Sequence, residues 1–252
     1  MILVKSPREI EVMRRAGAVV GKFFEEVRPL ILPGVSTWEL ELFADRFIAR
    51  NGVRSAFKGY MGYTAHLCTS INEEVVHGIP SKDRVVRKGD ILSIDFGIVR
   101  EGFYGDSAMT FPVGAVDGVS SRLLAATERS LAAGIGEVRP GNRLGDVSAA
   151  VQETVETEGF SVVRDFVGHG IGRSLHEDPQ IPNFGKRGVG PKLLPGMILA
   201  IEPMVNVGGW PVEVLADGWT VVTRDRSRSA HFEHTVAVTE DGHQILSIPC
   251  CI

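Results

Sequence analysis

Cysteine is scarce in this chain of 252 residues: Cys68 and the vicinal pair Cys250 and Cys251 are all there are, an odd number with no CxxC spacing. That excludes a disulfide framework and a structural zinc site, and a reducing cytosol is the expected compartment. Long apolar runs are missing as well. No stretch reaches the roughly 18 uncharged apolar residues of a membrane helix, so no membrane association is expected. The first 17 residues carry Lys5, Arg8, Glu9, Glu11, Arg14 and Arg15, which breaks up the apolar core a signal peptide needs. Nor is there an excess of one charge. With 27 basic against 31 acidic residues and a net charge of −4, no general attraction to phosphate backbones is expected. Two local basic stretches, Lys82 to Lys88 and Arg224 to Arg228, each contain an aspartate, as a solvated loop does. What remains is an ordinary globular composition, 44% hydrophobic and 23% charged, in a chain long enough to bury about 70% or more of its unfolded surface.

The organisation is that of an internal repeat. Pro33-Gly34 opens a segment with Leu40, Phe43, Ala44, Phe47 and Ile48 at helical spacing, closed by Gly52. Pro140-Gly141 opens another with Val147, Ala150, Val151, Thr154 and Val155, closed by Gly159, and the two segments lie 107 residues apart. At the same offset Lys88-Gly-Asp-Ile-Leu-Ser-Ile-Asp95 matches Pro195-Gly-Met-Ile-Leu-Ala-Ile-Glu202, so Asp95 corresponds to Glu202. Each half begins with a further helix, marked by Ile10, Met13, Gly17 and Val20 in one and by Leu123, Ala126 and Ser130 in the other. The seam falls near 114–120, where glycines and a lack of periodicity mark a connection. Either half alone has only a modest core. The expectation is therefore a single α+β domain over 1–252, with halves of about 1–115 and 116–252 related by a pseudo-two-fold axis.

Four acids stand out. In Ile91-Leu-Ser-Ile-Asp-Phe-Gly97 a two-residue period puts Ser93 and Asp95 on one face, and a second strand from Phe103 to Val113 carries Asp106. If these form a hairpin turning at Arg100-Glu101, the two aspartates face each other directly. Like charges at that separation repel. A divalent cation compensates them, a shared proton does so too, and exposure to water at a strand end removes the problem altogether. Glu202 ends an apolar strand and is held extended by Pro203. Glu233 lies in a strand running from Ser229 to Val238 that is expected to return against the Glu202 strand, so that all four acids converge at the pseudo-axis. Such a cluster calls for metal.

His169, in Phe166-Val-Gly-His-Gly-Ile-Gly172, sits between glycines, where the backbone approaches a ligand closely; a plain polar loop residue is the other reading. His77 and His176 are further candidates. One imidazole among four carboxylates is not a tetrahedral zinc cage and suits hard or borderline ions such as Mn, Fe or Co. Two such ions about 3.5 to 4 Å apart can hold a shared hydroxide and polarise a carbonyl, the apparatus of an amide hydrolase.

The segments Asn72-Glu-Glu-Val-Val-His-Gly-Ile-Pro80, Ser93-Ile-Asp-Phe-Gly97, Gly105-Asp-Ser107, Gly168-His-Gly-Ile-Gly172, Ile201-Glu-Pro-Met204 and Phe232-Glu-His-Thr235 resemble those of bacterial type I methionine aminopeptidases. The resemblance runs from the first helix to the last strand. It implies the pita-bread fold and a dinuclear site with Asp95, Asp106, His169, Glu202 and Glu233 as metal ligands, Asp95 and Glu233 bridging. It implies two divalent ions, with Co, Mn, Fe, Zn or Ni all conceivable. His176 would contact the scissile carbonyl oxygen, His77 would sit beside the substrate nitrogen, and Glu202 would double as proton shuttle. The implied methionine pocket comprises Tyr60, Tyr63, Cys68 and Trp219, with departures at Phe57, where the family commonly has cysteine, and at Leu175, where it has an aromatic. Met61 stands where histidine is expected. Cys68 also invites reading as a nucleophile, but nothing near it in sequence activates a thiolate.

The implied activity is removal of the amino-terminal methionine from nascent chains when the next residue is small, by a cytoplasmic monomer. The two basic stretches then also fit a transient contact with ribosomal RNA, without stable nucleic-acid binding. Proline-specific relatives match only after a long extra amino-terminal domain, and type II enzymes carry an insertion for which the stretch from His176 to Glu202 is too short. A non-catalytic pita-bread protein lacks the ligands, and all five are present here.

Overall fold

The computed structural model describes residues 2–248; Cys250 and Cys251 lie outside the described residues. In the first half α1 (Pro7–Val27) and α2 (Thr37–Asn51) are followed by β1 (Arg54–Ser55), β2 (Leu67–Ile71), β3 (Glu74–Val76), β4 (Ile91–Arg100) and β5 (Phe103–Pro112). The second half opens with α3 (Gly118–Gly136) and α4 (Leu144–Thr157). There follow β6 (Ser161–Val162), β7 (Gly168–Gly170), β8 (Glu177–Ile181), β9 (Ile198–Ile201), β10 (Met204–Asn206), β11 (Val212–Val214), β12 (Val221–Thr223), β13 (Ser229–His231), β14 (His234–Val238) and β15 (His243–Ile245).

Local chemistry accounts for the helix ends. Ser6 and Glu9 close a capping box on α1, and Ser36 and Glu39 close another on α2. The α2 helix stops at Gly52, which takes the left-handed conformation without the Cβ clash that other residues meet there. Asp117 caps α3 by accepting from the Ser120 amide, so this helix starts inside the stretch expected to be a connection, and only 114–117 remain irregular.

The 107-residue offset is present in the backbone pairing. Ser55 pairs with Ile98 and Val162 with Val205; the isolated bridge Ser36 to Val85 recurs as Arg143 to Lys192. The long strand β4 corresponds to β9 plus β10, which Glu202-Pro203 interrupts because proline cannot donate to the ladder. In the first half α1 and α2 pack on β4 through Phe23, Phe47 and Phe96, with Phe23 and Phe96 stacked at 3.7 Å. In the second, Leu123, Val147 and Val151 pack under Leu199, Val205 and Val236.

β4 pairs with β1, β2 and β5, while β9 lies between β14 and β7 in a sheet of order β15-β14-β9-β7-β8. Backbone pairing joins the halves. β3 of the first half pairs with β12 of the second. Beside it, the run 231–235 lies along β5: Thr110 Oγ1 donates to the His231 carbonyl and accepts from its amide, the Glu233 amide donates to Ala108, and Thr235 Oγ1 donates to the Asp106 carbonyl.

Candidate metal centre and substrate pocket

Two expected registers are corrected here. The β4–β5 hairpin turns at Glu101-Gly102, not at Arg100-Glu101, since both central residues must adopt positive φ (51° and 80°) and glycine does so without strain. The pairing shifts by two residues, so Asp95 lies opposite Ala108 and Asp106 opposite Gly97. The aspartates are diagonal neighbours on one face. The second correction concerns the strand expected over 229–238, which breaks at Phe232-Glu233 into β13 and β14, members of different sheets. β14 does return antiparallel to β9, with His234 opposite Ile201, which sets Glu233 beside Glu202 just beyond the paired stretch.

One cavity of about 310 Å³ collects every residue singled out above: Asp95, Asp106, His169, Glu202, Glu233, His77 and His176, together with Phe57, Tyr60, Met61, Tyr63, Cys68, Leu175 and Trp219. Donor atoms of Asp106, His169 and Glu233, all buried, lie within 4.8 Å of one another. Glu202 Oε1 is 3.6 Å from His169 Nε2. His169 reaches this position because β7 packs tightly. A Cβ on Gly168 would sit 2.4 Å from the Ala200 carbonyl oxygen, and one on Gly170 would sit 2.1 Å from that of Asp178.

The site is electrostatically overdrawn as protein alone. Burial, then the neighbouring carboxylates, push Asp95 and Glu233 well above the usual carboxylate range. Burial raises Glu202 to about 8, and burial together with the Glu202 charge raises Asp106 to about 7. Asp95 Oδ1, Asp106 Oδ1 and Glu233 Oε1 are buried with no hydrogen-bond partner. Orphaned carboxylate oxygens gathered in one buried cluster are the condition a divalent cation relieves, and an oxygen-rich set in which His169 is the imidazole sharing the tight group of donor atoms with Asp106 and Glu233 suits hard or borderline ions. The residues therefore fit a metal centre.

The apolar wall is built around Tyr63, whose hydroxyl donates to the carbonyls of Leu67 and Gly78 at 3.1 Å each, and whose ring meets Trp219 edge-on at 5.0 Å. Met61 is 82% exposed at the rim. Cys68 is a free, buried thiol whose pKa burial pushes well above the usual thiol range, against the thiolate a nucleophile needs. His77 follows β3 and faces Phe166 and Trp219. His176 stands against His169 with ring centres 4.3 Å apart, and its Nδ1 is hydrogen-bonded to the Tyr60 hydroxyl at 2.7 Å. Burial lowers the pKa of His77 to about 4 and of His169 to about 3, and lowers that of His176, so all three imidazoles are neutral near pH 7.

Sequence reasoning did not single out His231, which also lines the cavity. The signal was its position two residues before Glu233 in an extended run, hence on the same face. As for the basic stretches, Arg84 pairs with Glu74, Arg226 with Glu213 and Arg228 with Asp117. Among the described residues no helix is long and apolar enough to cross a membrane.

Comparison with known proteins agrees with this geometry. Metallopeptidase family M24 matches residues 11–240. Methionine aminopeptidase 1 of Bacillus subtilis is 53% identical over 98% of this chain and 99% of its own length, and methionine aminopeptidase of Escherichia coli is 44% identical over 98% and 94%. The crystal structure of methionine aminopeptidase from Thermotoga maritima, 52% identical, superposes with a TM-score of 0.97 over 98% of this chain and all of that one. A prolidase from Pyrococcus horikoshii, 19% identical and covered over 65% of its length, shares the fold at a TM-score of 0.80. The two related halves form the pita-bread architecture common to these proteins. The chain belongs to metallopeptidase family M24, among its bacterial methionine aminopeptidases.

Proposed function

We propose that this chain removes the amino-terminal methionine from nascent proteins and peptides whose second residue is small, using two divalent ions held by Asp95, Asp106, His169, Glu202 and Glu233. The observation that carries the reading is one cavity in which an apolar wall abuts a cluster of buried acids with orphaned oxygens. When bound, the ions supply Lewis acidity and the positive charge that offsets the carboxylates. Mn, Co, Fe, Zn and Ni are the candidate ions.

The protein's own groups do the rest. Phe57, Tyr60, Tyr63, Cys68, Leu175 and Trp219 take the methionine side chain and exclude water; both departures from the common family pattern, Phe57 and Leu175, remain apolar and pack softly on a thioether. His176, hydrogen-bonded at Nδ1 by Tyr60, directs Nε2 toward the carbonyl oxygen of the scissile bond and stabilises the charge that develops there. His77 sits beside the substrate nitrogen. Glu202 moves a proton to the leaving amine.

The 252 residues work as one catalytic domain with halves of about 1–115 and 116–252, acting in the cytoplasm as a monomer on chains emerging from the ribosome. Any ribosome contact is brief, in keeping with three of the arginines in the basic stretches being paired within the molecule. The test is release of methionine from a Met-Gly peptide by purified protein, with Mn²⁺ or Co²⁺ and with chelator, beside an Xaa-Pro peptide. Chelator-sensitive cleavage of Met-Gly alone supports the proposal. Cleavage of Xaa-Pro instead moves the chain to the proline-specific branch, and no cleavage by the metal-loaded protein refutes the assignment.

A further inference from the structure

His231 is 1% exposed, lines the same cavity, and has a ring atom, Nε2, with no hydrogen-bond partner. That atom stands 3.4 Å from Glu202 Oε2. An unpaired buried imidazole nitrogen is costly, of the order of 1 to 3 kcal/mol, so its persistence at this point needs a reason. Its backbone is also unusually well fixed. Thr110 Oγ1 binds both the amide and the carbonyl of His231 at 2.8 Å each and is hydrogen-bonded to Ser93 Oγ at 2.8 Å. The same ladder along β5 places Glu233 two residues later through Ala108. The backbone of His231 is thus anchored to the strand that carries Asp106, and its ring faces one oxygen of Glu202 while His169, whose Nε2 is 3.6 Å from Oε1, faces the other.

We infer that His231 is a positioning residue of the site: its Nε2–H holds Oε2 of Glu202 and sets the orientation in which that carboxylate takes up and releases a proton. Beyond the metal it is proposed to bind, the carboxylate of Glu202, at the end of β9 and followed by a proline, is faced by two imidazoles. Of its two oxygens one faces an imidazole that serves as a metal ligand and the other faces His231. The inference rests on the proposed role of Glu202, and loss of His231 acts through Glu202 without touching substrate.

The experiment compares the wild-type protein with His231→Leu, which removes the ring donor at similar bulk, and His231→Gln, which keeps a neutral N–H. Expected for His231→Leu is a fall in kcat of about 10- to 100-fold, the range for removing a group that orients a site residue, with KM for a Met-Gly peptide and Mn²⁺ stoichiometry by calorimetry unchanged. His231→Gln is expected to recover most of the loss. A readout independent of activity accompanies it: in ¹⁵N-histidine NMR spectra of the Zn²⁺-loaded protein, the signal absent from His231→Gln belongs to an Nε2–H tautomer with a slowly exchanging proton. Wild-type kcat in His231→Leu, equal losses in both variants, or loss of Mn²⁺ from either overturns the inference. So does a bare Nε2, which would make His231 a ligand. A wild-type protein that loads Mn²⁺ yet releases no methionine refutes the proposed function instead, and the tautomer measurement still decides the placement of His231.

Discussion

Stripped of metal, the protein is expected to lose stability as the pH rises from about 6.5 to 8. In this window the unfolded chain carries ionised carboxylates, and its imidazoles, half charged at pH 6.5, become neutral. The buried histidines oppose this slope at its lower end: His77, His169, His231 and His234 are held at about 3 to 4 and are already neutral in the folded protein, while the unfolded imidazoles shed their remaining protons above pH 6.5, which adds back about 0.4 kcal/mol each across the window, less than one retained carboxyl proton removes. The carboxyls behave oppositely. Glu202 at about 8, and Asp95 and Glu233 well above the usual range, keep protons that the unfolded chain has released. The folded state therefore binds more protons, and stability falls with rising pH by about 1.4 kcal/mol per unit for each proton retained.

Across 1.5 units that is about 2 kcal/mol per retained proton, or roughly 4 to 8 °C in Tm for a chain of this size. Saturating Mn²⁺ replaces those protons, so the slope disappears or reverses. Differential scanning calorimetry of chelator-dialysed protein at pH 6.5, 7.2 and 8.0, with and without Mn²⁺, measures both. A metal-free Tm that stays flat or rises across the window refutes the reading of these acids as desolvated and mutually repelling.

Gly97→Ala places a Cβ 2.9 Å from Asp106 Oδ1 and 2.9 Å from Phe57 Cε1; it should weaken Mn²⁺ binding by about 10-fold or more and cost about 1 to 3 kcal/mol, with wild-type affinity in calorimetry counting against the placement of Asp106. Tyr60→Phe removes the partner of His176 Nδ1 and keeps the ring, so kcat on a Met-Gly peptide should fall about 3- to 10-fold with KM little changed, and a KM effect alone would show that the hydroxyl serves only the pocket. Phe23→Ala empties the stack on Phe96 and the edge contact with Phe47 at 5.3 Å, for which chemical denaturation should register about 3 to 5 kcal/mol; a cost under about 1 kcal/mol would mean that α1 does not anchor this half.

Much of the fold was legible because its cues are local. Helical spacing and the closing Gly52 marked α2, and the duplicated strand ending in Asp95 and Glu202 disclosed the relation between halves before any contact was known. The four acids and His169 were legible for a different reason: they interrupt apolar strands or sit between glycines, where a polar group without a partner is costly. The Asp95–Asp106 register was not legible from strand pattern alone, since it depends on which two residues accept positive φ, and the choice fell on Glu101-Gly102. The break at Phe232-Glu233 was hidden as well, because an unbroken β pattern does not say that its two ends belong to different sheets.

By itself, then, the sequence determined the helices, the repeat and the residue types of the site, all of which follow from interactions between neighbours on the chain. Only the tertiary structure decided how Asp106, His169 and Glu233 share one point, how an apolar wall from both halves closes beside them, and how His231 comes to face Glu202. Those outcomes depend on contacts between groups more than a hundred residues apart, Thr110 with His231 and Asp106 with Thr235 among them. Such contacts form when packed sheets bring distant backbones within hydrogen-bonding reach, and local periodicity carries no record of that distance.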